Sequence, residues 1–209
     1  MRYILIFAVV FIAGCSVGTY NAPPVTDAQA ALIANPTPEV QAQVEAELPD
    51  FLAEDTFLEQ LTAQIGRPLT ARELQFARLA GVRNPDRVRI AVVPRIPAAQ
   101  RFARIKSDTG IDISGSATRA LQITKVYPAK AMAARYSIVF AAPFQNDLEV
   151  LVHELVHIRQ YEELGPIGMA RRAVTQAVVL RGKTVIPIET EAVFETARLL
   201  GTQPAYYPY

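Results

Sequence analysis

The sequence predicts an α+β fold, a small antiparallel sheet followed by three helices. Three observations carry that expectation. Residues 87–93, RVRIAVV, start by alternating charged and apolar side chains and close on Pro94, while residues 120–127 and 136–142 are further strand candidates. From Asn146 onward the apolar period becomes helical, and Gly165-Pro166, Gly182, Pro187 and Gly201 divide the stretch into three helices. Of the 209 residues 51% are apolar, and 21 basic side chains nearly cancel 20 acidic ones. Such a chain can fill the core of one domain, is too hydrophobic for a disordered tail, and is too neutral for a generic nucleic-acid binder.

At the amino terminus, Arg2 precedes eleven apolar residues from Tyr3 to Ala13. That run is too short to cross a bilayer, which needs about 20 residues, but suits the apolar region of a signal peptide. The tetrad Ile12-Ala13-Gly14-Cys15 resembles a bacterial lipobox, and the only Cys of the chain holds the position that is lipidated. The resemblance implies a signal peptide over 1–14 and a lipid anchor on Cys15. Loss of Arg2 would leave a side-chain charge of 20 minus 20. Ser16, where retention in the inner membrane usually shows Asp, favours the periplasm-facing outer membrane.

Residues 15–38, rich in Ala, Pro, Thr and Asn, read as a tether. No basic residue lies between Tyr3 and Gly66, whereas eight acidic ones do. Residues 39–66 therefore read as an acidic arm, with helical apolar spacing (Val40, Val44, Leu48; Phe57, Leu61, Ile65) broken near Pro49. From Arg67 to Arg135 the balance inverts to fourteen basic residues against four acidic. This suits a pair of solvated faces, an acidic arm over a basic domain, or a basic surface for anionic envelope material. Thr70 and Glu73 form a capping box for a helix through Ala80, stopped by Gly81. The strand candidates follow, with 110–118 as a loop. Asn146, with Glu149 three later, caps a helix running to Leu164; a second spans 167–180; Pro187 opens the last, which ends at Gly201. Residues 67–201 thus form the main domain and 202–209 a tail.

One Cys excludes an intrachain disulfide framework and Cys-based zinc fingers. Both histidines of the chain fall in residues 150–158, VLVHELVHI. His153 and His157, four apart on a helical pattern, share one face about 6 Å apart along the axis and can bind one Zn²⁺. Glu154 completes an H-E-x-x-H pattern, in which the Glu is general base toward zinc-bound water. The surrounding stretch is apolar nearly all round, so two imidazoles and a carboxylate at its centre need partners.

A catalytic zinc takes three protein ligands and a water. With no other His, and Cys15 assigned to the anchor, the third ligand is expected to be a carboxylate from the helix after Pro187. Glu189 heads the apolar stripe of Ala192, Val193, Thr196 and Leu200, and is the first choice. Glu191, aligned with Glu195 and Arg198 on the wetter face, is the alternative.

The segment HELVHIRQYEELG, followed about thirty residues later by PIETEA, resembles gluzincin-type zinc metallopeptidases. It resembles more closely bacterial zincin-like domains of unknown function with an HEL-x-H-x-x-Q core and a Pro-x-Glu-x-Glu-Ala helix. Residues 81–97, GVRNPDRVRIAVVPRIP, are similar to the entry strand of such domains, and the likeness covers roughly 69–201. It implies a zincin-like fold, a zinc cofactor and peptidase chemistry, with Glu189 and Ala192 matching the Glu-x-x-Ala pattern that supplies the third ligand. The Asp or Asn common after that Ala is Val193 here, so support of the histidines must come from elsewhere.

The expected function is that of a lipid-anchored envelope metallopeptidase acting on a peptide or protein. A zinc-stabilised lipoprotein binding an envelope partner, and a cell-wall amide hydrolase, are the alternatives. Glu154 favours catalysis, because a structural zinc has no use for a base. Tyr161, one turn after His157, is a candidate support or transition-state donor, as are Tyr206, Tyr207 and Tyr209. If 136–142 is an edge strand, a peptide could bind there by strand addition.

Overall fold

The computed structural model describes residues 24–96, 130–180 and 186–204. The signal segment with Cys15, the strand candidate 120–127, the loop 110–118, Gly182, and the tail tyrosines Tyr206, Tyr207 and Tyr209 lie outside the described residues.

Within the segment read as a tether, Asp27–Ala34 form a helix, α1. Its sequence, DAQAALIA, is half alanine, the best helix former, and Thr26 and Gln29 close a capping box at its start. Helix α2 is Pro38–Ile65 and runs through Pro49 rather than breaking there. Pro49 and Glu45, whose carbonyl loses its helical partner, are both exposed, so the lost hydrogen bond leaves no buried residue behind. After the two-residue strand β1, Arg67–Pro68, helix α3 spans Ala71–Leu79 with the expected Thr70–Glu73 capping box, and Gly81 (φ 86°) follows it. Strand β2 is Arg89–Val93, β3 is Ala131–Ala134 and β4 is Ser137–Ala141.

The sheet order is β1-β2-β4-β3, and the sheet is mixed rather than antiparallel. Strands β3 and β4 form an antiparallel hairpin turned at Arg135 (φ 52°), whereas β2 and β4 run parallel in the register Ile90–Ile138. The chain between residues 93 and 131 is long enough for the crossover that a parallel pair requires. Strand β4 is therefore interior, with all five residues buried, so strand addition at residues 136–142 does not survive.

Alternation along the strands sends side chains into two different layers. Ile90, Ile138 and Phe140 pack on Val150, Leu151 and Leu155, while Ala91, Val139 and Ala141 pack on Leu58 of α2. Complete burial of Ile138, Val139 and Phe140 contributes about 1.5–3 kcal/mol each. The helix read as an acidic arm thus covers one face of the sheet. Its first half continues past the sheet, where Val44, Leu48 and Phe51 meet Ala170, Val174 and Val178.

Helix α4, Leu148–Leu180, covers the other face of the sheet. It starts on Asp147, not Asn146: the Asp147 carboxylate accepts from the N–H groups of Glu149 and Val150 at 3.1 and 3.2 Å. The expected stop at Gly165-Pro166 is a break inside it, since Gly165 has φ 69° and ψ 164°. Helix α5, Pro187–Leu200, closes on Gly201 in the left-handed conformation.

One acidic side chain of α2 points inward. Asp55, 3% exposed, accepts a 2.8 Å hydrogen bond from the Tyr161 hydroxyl of α4. Burial pushes its carboxyl from 3.8 up to about 7, against that hydrogen bond and the Arg135 charge. A raised folded-state pKa stabilises the fold below about pH 4, and the benefit is lost as pH rises through 7. Asp55→Asn keeps an acceptor for Tyr161 and removes the titration. We expect the variant to gain stability over the parent between pH 5 and 8 in urea titrations. A constant stability difference across that range would contradict the assignment.

Candidate metal centre

The site is built on the most buried stretch of α4. Val150 through Ile158 are all buried, because the sheet lies on one side and α5 on another. Within that stretch the helical repeat aims His153 and His157 at the start of α5, with ring centroids 4.7 Å apart and planes at 81°. Their Nε2 atoms approach to 3.0 Å. The Glu189 carboxylate of α5 closes the group, with Oε2 3.3 Å from His153 Nε2 and Oε1 3.3 Å from His157 Nε2. Donors arranged tetrahedrally at ~2.0–2.1 Å from a metal lie about 3.3 Å apart, near the 3.0 Å between the two ring nitrogens and the 3.3 Å from each of them to one carboxylate oxygen.

The hydrogen bonds fix which atoms are donors. Gln160 Nε2 donates to the Ile188 carbonyl at 3.2 Å, which turns its Oε1 toward His157 Nδ1 at 2.7 Å. An amide oxygen only accepts, so Nδ1 is assigned the proton, and the ring, once free of a second proton, would present its Nε2 lone pair to His153 and Glu189. Two imidazole nitrogens and a carboxylate facing one another are stabilised by a cation.

Charge favours a cation at the same point, a proton or a metal ion. Burial disfavours an imidazolium at His157, but the Glu189 and Glu154 carboxylates outweigh it and push the group up to about 9. Glu189, despite its own desolvation, is held well below the usual carboxylate range by the two imidazoles. Its place in the first turn of α5 also favours the anion. Glu154 is fully buried. Two carboxylates beside two imidazoles form a pocket that takes up positive charge, and the group His153, His157 and Glu189 could hold a metal ion.

Glu191, the alternative ligand, lies elsewhere. Its carboxylate pairs with Arg159 at 2.9 Å and approaches Arg172 at 3.8 Å. The hydroxyl of Tyr161 is committed to Asp55, and its ring packs with Met169 and Ile188, a supporting position between α2, α4 and α5. From the sequence, Gln160 stands out only as the last residue of the HEL-x-H-x-x-Q core, without a role, and Gln176 does not stand out at all. Both are polar residues on an otherwise apolar buried face, and that interruption of the pattern is the signal by which they could have been found. Glu189 keeps 24% of its side chain accessible, so solvent reaches the group from the α5 side.

No protein-family model, no curated protein and no solved structure matches the chain. Chemical assignment therefore rests on the donor set.

The ligand choice has a direct test. Glu189→Ala should weaken divalent-metal binding more than about 100-fold in calorimetric titrations, beyond the ~10–100-fold typical of a supporting residue. Glu191→Ala should change it less than about threefold and lower stability by no more than ~1 kcal/mol, since its ion pair with Arg159 is part-exposed. The reverse pattern would make Glu191 the ligand.

Proposed function

We propose that the chain is a zinc-dependent metallopeptidase of the gluzincin, zincin-like type, held in the bacterial envelope through a lipid on Cys15. Its substrate is a peptide or protein of that compartment. The observation that carries this proposal is the convergence of His153, His157 and Glu189 beside a buried glutamate, Glu154, on the same helix. Two imidazoles and one carboxylate are a zinc donor set that leaves a coordination position open. A bound zinc ion supplies a Lewis acid that polarises a carbonyl and acidifies water.

The chain's own residues account for the rest. His153, His157 and Glu189 would hold the ion, and Gln160 fixes the His157 ring through Nδ1. Glu154 follows His153 directly in the chain, and its charge reaches His157 across the group. In this reading it would be the general base that takes a proton from water and passes it to the leaving amine.

In the soluble chain lacking residues 1–14, Glu154→Gln should retain zinc and lower peptide turnover by about 10²–10⁴-fold. Chelation should abolish turnover in the parent, and added zinc should restore it. Equal zinc and equal turnover in parent and variant would remove the catalytic role and leave a zinc-stabilised, partner-binding lipoprotein. In the full-length chain, labelled fatty acid should enter the parent but not Cys15→Ala, and equal labelling would remove the anchor.

A further inference from the structure

We infer that Gln160 and Gln176 of α4 are positioning residues for the metal: together they grip both backbone polar atoms of Ile188 and so set the place of Glu189. This inference rests on the metal-centre proposal above.

The start of α5 lacks the usual means of satisfying its first N–H groups. Its N-cap, Ile186, has no side-chain acceptor, and Pro187 has no N–H to offer. The N–H groups of Glu189 and Thr190 both turn back to the Ile186 carbonyl, at 3.0 and 3.1 Å. The remaining donor of that turn is Ile188 N–H, on a residue only 1% exposed. Gln176 Oε1 takes it at 3.0 Å, capping α5 from a different helix. On the other side of the same residue, Gln160 Nε2 donates to the Ile188 carbonyl while its Oε1 holds His157.

Both glutamines are almost fully buried. A buried amide is costly unless its bonds are made, and leucine would fill the same space without that cost. Two such amides converging on one residue, next in the chain to the carboxylate ligand, amount to a bracket. One arm of the bracket also touches a histidine ligand, so the His and Glu donors are fixed relative to each other. A preformed ligand set binds its ion more tightly because less ordering is left to do on binding.

The test uses the same soluble chain and reads metal affinity below the unfolding range. Gln176→Leu, which removes the acceptor and keeps the volume, should weaken zinc binding about 10–100-fold in competition with a chromophoric chelator. It should also alter the visible absorption of the cobalt-substituted protein. Gln176→Glu, which keeps an acceptor oxygen, should restore affinity to within about threefold of the parent. In a Glu189→Ala background Gln176→Leu should cause no further loss, because the residue acts through Glu189. Should Gln176→Leu fold poorly, Gln176→Met serves the same cycle. Parental affinity in the apolar variants, or an equal loss in both backgrounds, would overturn the positioning role alone. Failure of the parent to bind zinc would overturn this inference and the metal-centre proposal together.

Discussion

The structure depends on one constraint: two imidazoles and a carboxylate are buried mid-helix in a stretch with no exposed side. From Val150 to Ile158 every residue of α4 is inside, and His153, Glu154 and His157 are inside with them. Polar groups in such a place are tolerated only when each finds a partner. Gln160 answers for His157 Nδ1, and Glu189 answers for the two Nε2 atoms. Glu189 in turn obliges α5 to begin where it does, with its first turn against α4.

The layers around that helix are arranged to keep it dry. A four-stranded sheet is small, but β4 is covered on both faces, by α4 on one and by α2 on the other. The Tyr161–Asp55 bond and the buried contact of Thr62 with Ser137, 2.6 Å between hydroxyls, tie α2 to the layers it covers. Glu162 pins the loop before β2, accepting from the N–H groups of Arg83 and Asn84 and from the Tyr136 hydroxyl. The acidic and basic segments of the sequence meet at the Arg135–Glu59 pair, and a second arginine, Arg171 of α4, pairs with Glu45; both pairs are exposed enough to add little stability.

The parts of this arrangement that were legible in the sequence are those written in local chemistry. The Thr70–Glu73 box, Gly81, Gly165-Pro166, Pro187 and Gly201 are punctuation, and each marks a start, a break or an end close to where it was expected. His153 and His157 were legible because a helix repeats every 3.6 residues. Glu189 was legible as a polar residue at the head of an apolar stripe. Long-range facts were not. Parallel pairing of β2 with β4 depends on the crossover between them, and β3, Ala-Met-Ala-Ala, has no alternation to announce it. Asp55 read as one more surface acid, since nothing local distinguishes it from Asp50 or Glu59. Helix α1 was hidden by the prolines and polar residues on either side of it.

The break at Gly165 links the local punctuation to the site. Gln160 and Gln176 are sixteen residues apart, which in an unbroken helix puts them about 24 Å apart along the axis. No single residue could then bond to both, because a glutamine side chain reaches only a few ångströms. Yet Ile188 does bond to both, through its N–H and its carbonyl. The change of direction that makes this geometry available occurs at Gly165, whose φ of 69° with ψ of 164° lies in a region that essentially only glycine occupies. The same turn brings Ala170, Val174 and Val178 onto the first half of α2, so apolar packing holds the second segment of α4 in the orientation that Gln176 needs. The glycine is therefore a requirement of the site as well as of the chain path: it lets one helical element meet the carboxylate-bearing helix twice, once with its metal-binding face and once with the amide that caps it.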